Sequence, residues 1–588
     1  MVTHILAVAF SLLIYLFLGT AYYGWGRVTS LFLGLGDQKF RFSILHVWLG
    51  WATTLFVFEL LHFILPLTAY VSIPVLAFGA ACAVPGMKYK FKCFQMELFA
   101  SNRLMLGWVL IFGFVIWVIS RAMMPPINFD SGLYHFNTIR WINMYPVVPG
   151  LGNLHGRLAF NQSFFTYVAA LNFYPYFGYG RSLANSFLLL LVLATVFSSV
   201  LPIIRQPDLL IESHPFRYIS GLFLIPIIVF IAFSSDGIAS PSVDLASTLL
   251  QLMMFVTLAH GLAEWNNGKK DQSFRATVLA VLAAAAVTVK LSNLGFSFAI
   301  IGFAVVYVHQ TSANRIKSIL RLLLPVVALI FVWSLRGYIL SGAPFYPSTI
   351  GYIPLKWAVP IDRVADEANW IYSWARSPGV NWENVLGNWN WLYPWFIRTS
   401  NEWTSVVYPV VLTVVFCVIA VAIGLMGKKR ERRPHSVDWA IFLPPLVSLV
   451  YWFFTAPDPR FAGAAFFLMS LCSILIFLRY IQRIVCARTF IVVACGVFLV
   501  GNAHFFNYIC EHSSRVKKIS FSGWHATKEA SMDTRTTLSG LAVYVPKTGG
   551  QCWDSPLPST PYFNDRLRLR NRANMSSGFA VTEETGFR

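Results

Sequence analysis

Charged residues are scarce in this chain of 588 residues, because only 12% of them are Asp, Glu, Lys or Arg. A soluble domain is typically about one quarter charged, so the composition argues against the water-soluble classes. Hydrophobic residues make up 57% of the chain, and apolar runs of roughly 20 residues, each long enough to cross about 30 Å of hydrocarbon, recur along it. We therefore expect an all-α polytopic membrane protein.

Nucleotide-binding motifs are missing too. The sequence contains neither GxxxxGK[ST] nor a strand-anchored GxGxxG, which argues against ATP-driven transport and against nucleotide-sugar chemistry at an attached cytosolic domain. It also lacks CxxC pairs and the Cys/His spacings of zinc or iron–sulfur sites. Long polar stretches occur only in three places, where chemistry is expected: 121–181, 337–403 and 509–588.

Fourteen apolar runs bounded by charge predict membrane spans. They lie near 5–22, 43–65, 68–85, 104–120, 182–204, 218–233, 243–262, 274–289, 292–308, 320–336, 404–426, 437–454, 461–478 and 489–508. Short loops dense in Lys and Arg, such as KKRERR, mark the cytoplasmic side, so both termini are expected outside. The apolar run 160–178 is interpreted as interfacial or re-entrant, because a span there would place KKRERR outside.

The first long outer loop contains FDSGLYHF, where Asp130 is the only carboxylate before Pro146. A carboxylate held at the membrane surface suits a general base that takes a proton from a hydroxyl group. The same residue type also favours helix N-caps, and spacing alone favours the cap. Tyr134 and His135 follow one turn later, and His135 and His155 are further acid–base candidates.

Later outer turns supply a second carboxylate and three cations. Asp244 opens a helix in ASPSVDLAS, where an N-cap role competes with a functional one. Lys290 in VTVKLSN either neutralises a phosphate or extends to the membrane interface. Arg336 and Arg460 lie at span ends, and a guanidinium group matches phosphate geometry.

Two further patterns have competing interpretations. The loop 337–403 holds eight of the twenty tryptophans, which stack on sugar or isoprenoid or, for most of them, form an aromatic belt at the bilayer surface. Glu59 and His62 lie three residues apart in an apolar span, where they form a proton relay or a structural pair.

The tail 509–588 is expected to form a small α+β domain outside the cell. GLAVYVP predicts a strand and RLRLR an edge strand whose arginines either contact anionic groups or keep the edge solvated. Cys510 and Cys552 are candidates for one disulfide in an oxidising compartment. A net charge of +20 would suit nucleic acid, but this basic run is predicted outside the cell, so no nucleic-acid partner is expected.

The order of FDSGLYHF, ASPSVDLAS, VTVKLSN and RGYILSGAPFYP resembles the landmarks of GT-C glycosyltransferases, membrane enzymes that use polyprenyl-phosphate sugars. The chain is most similar to a bacterial family of GT-C-like membrane proteins, over about residues 100–588. In this resemblance Asp130 matches the acid of the first outer loop, Asp244 the second acid and Lys290 the basic residue of a late turn. Three spans precede the one that leads to Asp130, and the usual paired acids are reduced to one, which puts metal binding in doubt.

The resemblance implies a glycosyltransferase of the bacterial inner membrane, with both termini periplasmic. Asp130 and His135 would be catalytic, and Asp244, Lys290, Arg336, Arg460, His155 and Tyr134 would bind the donor phosphate or substrate. The implied donor is a polyprenyl-phosphate sugar and the acceptor a glycan, lipid or protein; no cofactor is certain, and a divalent metal ion remains an option. A transporter or flippase of a lipid-linked glycan, or an outer-face glycan polymerase or ligase, is the alternative.

The expected organisation has five parts. They are N-terminal accessory transmembrane helices (1–103), a GT-C-like transmembrane core (104–336) with the first outer loop (121–181), an aromatic outer loop (337–403), C-terminal transmembrane helices (404–508) and the tail domain (509–588).

Overall fold

The protein is described here from a computed structural model that covers residues 1–35, 43–87, 102–205, 215–266, 273–426, 436–512 and 523–582. Several basic loops that the sequence assigns to the cytoplasm, KKRERR among them, lie outside the described residues. The described chain is mostly helical, as its apolar composition predicts.

Twenty α-helices are described, from α1 to α20 in chain order. They are Val2–Phe32, Ile44–His62, Ala69–Met87, Asn102–Ala122, Phe136–Met144, Phe164–Leu171, Gly180–Arg205, Pro215–Ser234, Val243–Asn266, Ser273–Val289, Leu294–Thr311, Arg315–Ser341, Ile361–Arg376, Trp382–Val385, Leu392–Ser400, Tyr408–Met426, Ser436–Trp439, Leu443–Thr455, Ala465–Ile484 and Ala487–Glu511.

Short π and 3-10 turns join several of these helices. The π turns are Ser131–His135 and Trp403–Val407, and the 3-10 turns include Leu151–Asn153, Gly156–Ala159, Asp236–Ile238, Leu291–Asn293, Ala440–Phe442, Pro459–Phe461 and Met575–Ser577. Four of the charged residues discussed below, Asp130, Arg157, Lys290 and Arg460, lie in or beside these turns.

Nine helical segments of the described residues are long and apolar enough to cross a membrane, and five shorter apolar helices accompany them. This is the architecture of a multi-pass membrane protein. The run 160–178 forms only α6, whose eight residues are all buried. Such a helix rises about 12 Å, less than the thickness of a bilayer core, so it is not a span.

Local sequence explains several helix ends. The side chain of Ser43 accepts a hydrogen bond from the amide of Leu45 at the start of α2, as expected of a capping serine. Helix α12 is terminated by the cap residue that follows it, Gly342, whose φ of +80° is a left-handed conformation that glycine adopts without steric cost. These two ends therefore need no tertiary contact to define them.

Close backbone contacts hold the first three helices together. A Cβ atom at Gly24 would lie 1.7 Å from the carbonyl oxygen of Gly79, and one at Gly50 would lie 1.7 Å from that of Tyr22. Small residues let apolar helices approach closely, which replaces the missing hydrophobic driving force inside a membrane. These glycines cannot be enlarged without separating α1 from α2 and α3.

The tail contains two small antiparallel sheets. Strands β1 (Met532–Thr536) and β2 (Ala542–Pro546) form one, and β3 (Leu567–Leu569) and β4 (Phe579–Val581) form the other. The strands predicted in GLAVYVP and RLRLR are therefore present. The described part of the tail, 523–582, contains strands and a 3-10 turn but no α-helix.

The predicted bond between Cys510 and Cys552 is not formed. Cys552 is a free thiol buried inside the tail, whereas Cys510 is exposed at the end of α20. Burial raises the pKa of the Cys552 thiol to about 12, so this thiol resists ionisation and the oxidation that follows from it.

Candidate functional site

Asp130 lies directly before the π turn Ser131–His135, but its side chain does not cap that turn. Its carboxylate instead faces two arginines: Oδ1 is 3.4 Å from Nη1 of Arg157, and Oδ2 is 3.6 Å from Nη1 of Arg460. The capping interpretation favoured by spacing is therefore wrong. With a side-chain exposure of 22%, Asp130 remains accessible at one edge.

A second carboxylate, that of Glu367, contacts Arg157, the same arginine that faces Asp130. Glu367, on α13 of the aromatic loop, has its Oε1 atom 3.5 Å from Nε of Arg157. Burial raises the pKa of Glu367, and the nearby guanidinium only partly opposes this effect. Burial also disfavours the charge of Arg157, but Glu367, Tyr134 and Asp130 outweigh it, and the pKa of Arg157 is raised. Arg157 is therefore a fixed cation between two carboxylates.

Lys290 and Asp244 form a further ion pair in the neighbourhood of Asp130. The Lys290 ammonium lies 4.1 Å from the ring centroid of Phe461, and the Arg460 guanidinium carbon lies 4.7 Å from the same centroid. One aromatic ring thus gathers two cations, an arrangement that the negative face of the ring stabilises. Lys290 also interacts electrostatically with Asp130.

These contacts define what we call the charged cluster: Asp130, Arg157, Asp244, Lys290, Glu367, Asp458 and Arg460. It contains four carboxylates and three cations, and it brings together residues from six separate segments. Asp130, Lys290 and Arg460, three of the site candidates from the sequence, lie together in this cluster. Arg460 is the most accessible of the three cations, with a side-chain exposure of 46%.

A buried amide network fixes the segments that carry Asp244, Lys290 and Arg460. The Oδ1 atom of Asn293 accepts hydrogen bonds from Ser247 at 2.7 Å and from Gln251 at 2.9 Å, while its Nδ2 atom donates to the carbonyl of Ala286. Gln251 in turn accepts from the amide of Ala464 at 2.7 Å. Because α9, α10 and the turn before α19 share these bonds, their charged residues have fixed relative positions.

A second network holds the Asp130 turn against the ASPSVDLAS turn. The hydroxyl groups of Ser131 and Ser240 are 2.5 Å apart. The side-chain amide of Asn185 donates to the carbonyls of Gly237, Ser240 and Ser242 at 2.9 to 3.0 Å. These bonds are buried, where an unpaired polar group would cost about 1 to 3 kcal/mol, so the two turns are held in register.

The side chains of Tyr134 and His135 are buried, whereas that of Asp130 is partly accessible. The Tyr134 ring packs against Phe165 and lies 5.9 Å from the guanidinium carbon of Arg157. The His135 ring is buried against Phe165 at 5.1 Å, and its Nδ1 atom has no hydrogen-bond partner among the described residues. Burial lowers the pKa of His135 to about 4, so the imidazole is uncharged at neutral pH.

His155 lies beside Arg157, where the tail meets the first long loop. Its ring is buried and lies 5.2 Å from the ring of Tyr562 in an edge-to-face arrangement. Burial, together with the charge of Arg157, lowers the pKa of His155 to about 3. His155 is therefore neutral at physiological pH, and its contacts connect the charged cluster to the tail.

Arg336 belongs to a different group of polar residues. It is buried, donates a hydrogen bond to Oδ1 of Asn161 at 2.5 Å and interacts electrostatically with Glu59. His62 lies one turn from Glu59, and its Nε2 atom is 3.1 Å from the carbonyl oxygen of Tyr145. The prediction that Arg336 contacts the donor phosphate is not supported by these contacts, which tie it to the interior of the bundle.

The positions of the possible ligand side chains test whether a divalent metal ion could bind at this site. Among the described residues, no three His, Cys, Asp or Glu side chains are placed to share a metal ion. Asp130 and Glu367 are both turned toward Arg157, and Asp244 toward Lys290. The carboxylates of the charged cluster therefore do not form a metal-binding set, and positive charge comes from side chains.

A cavity of about 360 Å³ lies at the other end of the bundle, lined by residues that include Ser273, Thr277, Thr311, Asn314 and Arg321. Ser273 begins α10 and Lys290 follows its last residue, so the two places are about 25 Å apart. The cavity lining contains no carboxylate. The charged cluster, by contrast, holds four carboxylates.

Sequence reasoning missed Arg157, Glu367 and Asp458. Arg157 occurs two residues after His155, and Glu367 is one of three acids in DRVADE. Nothing in their local sequence separates them from ordinary surface charges, because their role depends on partners that are distant in the chain. Asp458 lies in the APDPRFAG turn, and its residue type was a usable signal, because Asp in a turn commonly accepts a hydrogen bond from the backbone two residues on. In the structure its side chain does accept from the amide of Arg460.

A family described as a domain of unknown function, DUF8201, matches residues 8–468, and the chain therefore belongs to this family. The matched region contains the whole charged cluster and ends before the tail. No curated protein and no solved structure matches the chain.

Proposed function

We propose that this member of the DUF8201 family is an integral membrane glycosyltransferase of the bacterial inner membrane. It would move a sugar from a polyprenyl-phosphate donor to an acceptor at the periplasmic face. The observation that carries the proposal is the position of Asp130 between two guanidinium groups and beside Lys290. A carboxylate and several cations at one accessible point are the groups that displacement of a phosphate requires.

The donor phosphate would bind to Arg460 and Lys290. Both contacts of Arg460, 3.6 Å to Asp130 and 3.7 Å to Asp458, are longer than the usual charge-assisted hydrogen bond of about 2.7 to 2.9 Å. A phosphate can replace such loose contacts and make bidentate hydrogen bonds with the same guanidinium. Lys290 would add a second positive charge close to the leaving oxygen.

Asp130 would then act as the general base. The acceptor hydroxyl oxygen attacks the anomeric carbon, and its proton passes to the Asp130 carboxylate. As the new glycosidic bond forms, the bond between the anomeric carbon and the phosphate oxygen breaks. The electron pair leaves with the polyprenyl phosphate, whose charge Arg460 and Lys290 stabilise.

The membrane architecture supports a lipid-borne donor. The nine long apolar helices of the described residues support a multi-pass chain, and with the fourteen spans expected from the sequence both termini and the charged cluster would face the periplasm. That compartment contains no nucleotide sugars, so the activated sugar would have to arrive on a lipid. Four of the exposed tryptophans in the aromatic loop, Trp370, Trp374, Trp389 and Trp403, would lie in the outer interface.

The test compares a deletion strain with strains that produce the full-length protein or its variants. Mass spectrometry of surface glycolipids, polysaccharides and glycoproteins should show one glycan lost on deletion and restored by the natural chain. Asp130→Asn should reduce this product by about 10² to 10⁴, the usual contribution of an oriented base. Asp362→Asn, on the exposed first turn of α13, removes the same charge outside the charged cluster and should restore the product. Full restoration by Asp130→Asn would reject the proposed role.

A second candidate function is transport of a lipid-linked glycan. It is favoured by the buried pair Glu59 and His62, because neither carboxylate oxygen of Glu59 has a hydrogen-bond partner among the described residues. A buried ionisable group within a membrane helix is a common coupling site. Such a transporter would move its lipid without forming a glycosidic bond, so a deletion strain would accumulate the unmodified lipid-linked glycan.

A further inference from the structure

A loop of the tail, residues 551–562, packs directly on the turn that carries Asp130. The amide of Trp553 donates to the carbonyl of Gly132 at 2.8 Å, and the side chain of Gln551 donates to the carbonyl of Phe129 at 2.8 Å. Arg140 of α5 forms an ion pair with Asp554 at 3.1 Å. A Cβ atom at Gly132 would lie only 2.5 Å from the Trp553 indole, so the two surfaces fit closely.

Tyr562 ends this loop and remains open to solvent. It is 59% exposed, and among the large apolar side chains in the described part of the tail only it and Leu538, at 81%, are exposed. Its ring meets that of His155 edge to face at 5.2 Å, and its hydroxyl group interacts electrostatically with Arg157. An accessible aromatic face therefore stands next to the Arg157 and Glu367 side of the charged cluster.

The order of contacts divides the charged cluster in two. Oδ1 of Asp130 faces Arg157, which also contacts Glu367, whereas Oδ2 faces Arg460, which shares the ring of Phe461 with Lys290. If the phosphate binds to Arg460 and Lys290, the hydroxyl that Asp130 deprotonates must approach from the remaining side. Tyr562 stands on that side.

We propose that Tyr562, Arg157 and Glu367 form the acceptor subsite and that the acceptor is a carbohydrate. This inference rests on the function proposed above. The apolar face of a pyranose ring stacks on an aromatic side chain, and its hydroxyl groups form hydrogen bonds with a carboxylate and a guanidinium beside that ring. A tail outside the region of the family match thus contributes to recognition of the acceptor.

Saturation-transfer NMR on the full-length protein in detergent tests the subsite. The probes are the methyl glycosides of glucose, galactose, mannose, rhamnose and N-acetylglucosamine. At least one should receive saturation from the protein, and Tyr562→Ala should weaken its binding roughly tenfold. Tyr562→Phe keeps the ring and should bind as the natural chain does. Leu538→Ala, the matched control for an exposed apolar side chain of the tail, should have no effect.

The outcomes separate this inference from the proposed function. If none of the glycosides receives saturation, or if Tyr562→Ala binds like the natural chain, the carbohydrate subsite is wrong. Should Asp130→Asn nevertheless abolish the surface product, the glycosyltransferase proposal stands without the subsite. Should Asp130→Asn restore the product fully, the proposed function fails, whatever the glycosides do.

Discussion

The carboxylate of Asp130 and the guanidinium of Arg460 face each other at 3.6 Å. Asp130 follows α4, and Arg460 lies in the turn between α18 and α19, so the pair joins an early and a late part of the chain. The separation exceeds that of a close charge-assisted hydrogen bond, about 2.7 to 2.9 Å. The two groups therefore attract each other while leaving hydrogen-bonding capacity for a ligand.

Replacing Arg460 should weaken donor binding. Arg460→Ala removes the more accessible cation near Asp130, and we expect the donor concentration at half-maximal rate to rise about 10- to 100-fold, as for loss of a charge-assisted contact. Arg460→Lys keeps the charge but not the planar fork and should have an intermediate effect. Donor-dependent transfer in membrane vesicles measures both. Arg315→Ala, the control at the opposite end of the bundle, should leave that concentration unchanged; an unchanged value for Arg460→Ala would contradict its assignment.

Glu367 should make stability depend on pH. Burial raises its pKa above the ordinary value of 4.5, so between that value and the higher folded-state pKa the folded protein binds more protons than the unfolded chain. Stability should therefore fall as pH rises through this window, by at most about 1.4 kcal/mol per pH unit. Glu367→Gln should remove this slope.

Thermal unfolding in detergent from pH 4 to pH 8 measures the slope. Asp362→Asn, on the same helix, is the control and should follow the natural chain. The physical account of Glu367 is wrong if the natural chain and Glu367→Gln have parallel profiles.

Asn293 should be a stability determinant of the site. Asn293→Ala leaves the Ser247 hydroxyl and one Gln251 donor without their acceptor, and each buried orphan costs about 1 to 3 kcal/mol. The melting temperature should fall clearly, and transfer should slow because the segment of Lys290 loosens. Ser292 is the neighbouring control, because its hydroxyl has no hydrogen-bond partner in the described protein. Ser292→Ala should therefore melt like the natural chain, and an equal loss in both variants would contradict the network.

Arg336 and Glu59 should be coupled in stability. Arg336→Met leaves the Glu59 charge buried without compensation, which typically costs about 3 to 5 kcal/mol. The double variant Arg336→Met with Glu59→Gln removes both charges and should recover most of that loss. A thermodynamic cycle of unfolding in detergent measures the coupling. Additive losses would show that the two charges do not interact, which would contradict the electrostatic contact between Arg336 and Glu59.

The long apolar helices were predictable because their signal is local. A run such as 404–426 is predominantly apolar and carries no charge, and the structure has a long apolar helix at Trp403–Leu425. The run 160–178 was also predicted not to be a span, because a span there would have placed the most basic loop outside; the structure has only an eight-residue helix in it. Asp130, Lys290 and Arg460 were predictable as candidates because charges are so rare beside these helices.

Pairing of those charges was not predictable. Asp130 had the spacing of a helix cap, yet its carboxylate faces Arg157 and Arg460. Arg336 had the same sequence context as Arg460, at a span end, but the packing of α12 against the rest of the bundle turns it toward Asn161 and Glu59. The pairing of Arg157 with Glu367 depends on how the first long loop and the aromatic loop meet, which neither segment encodes alone.

Composition and hydrophobic pattern were sufficient to determine that the chain forms a helical, membrane-embedded protein with its polar segments between helices. Burying apolar side chains is a property of each segment, and it can be read one segment at a time. Ion pairing depends on the distance between atoms that the chain separates by tens to hundreds of residues. Only the tertiary structure could therefore decide that Asp130 meets two arginines, that Arg336 does not join them and that Tyr562 of the tail stands beside the charged cluster.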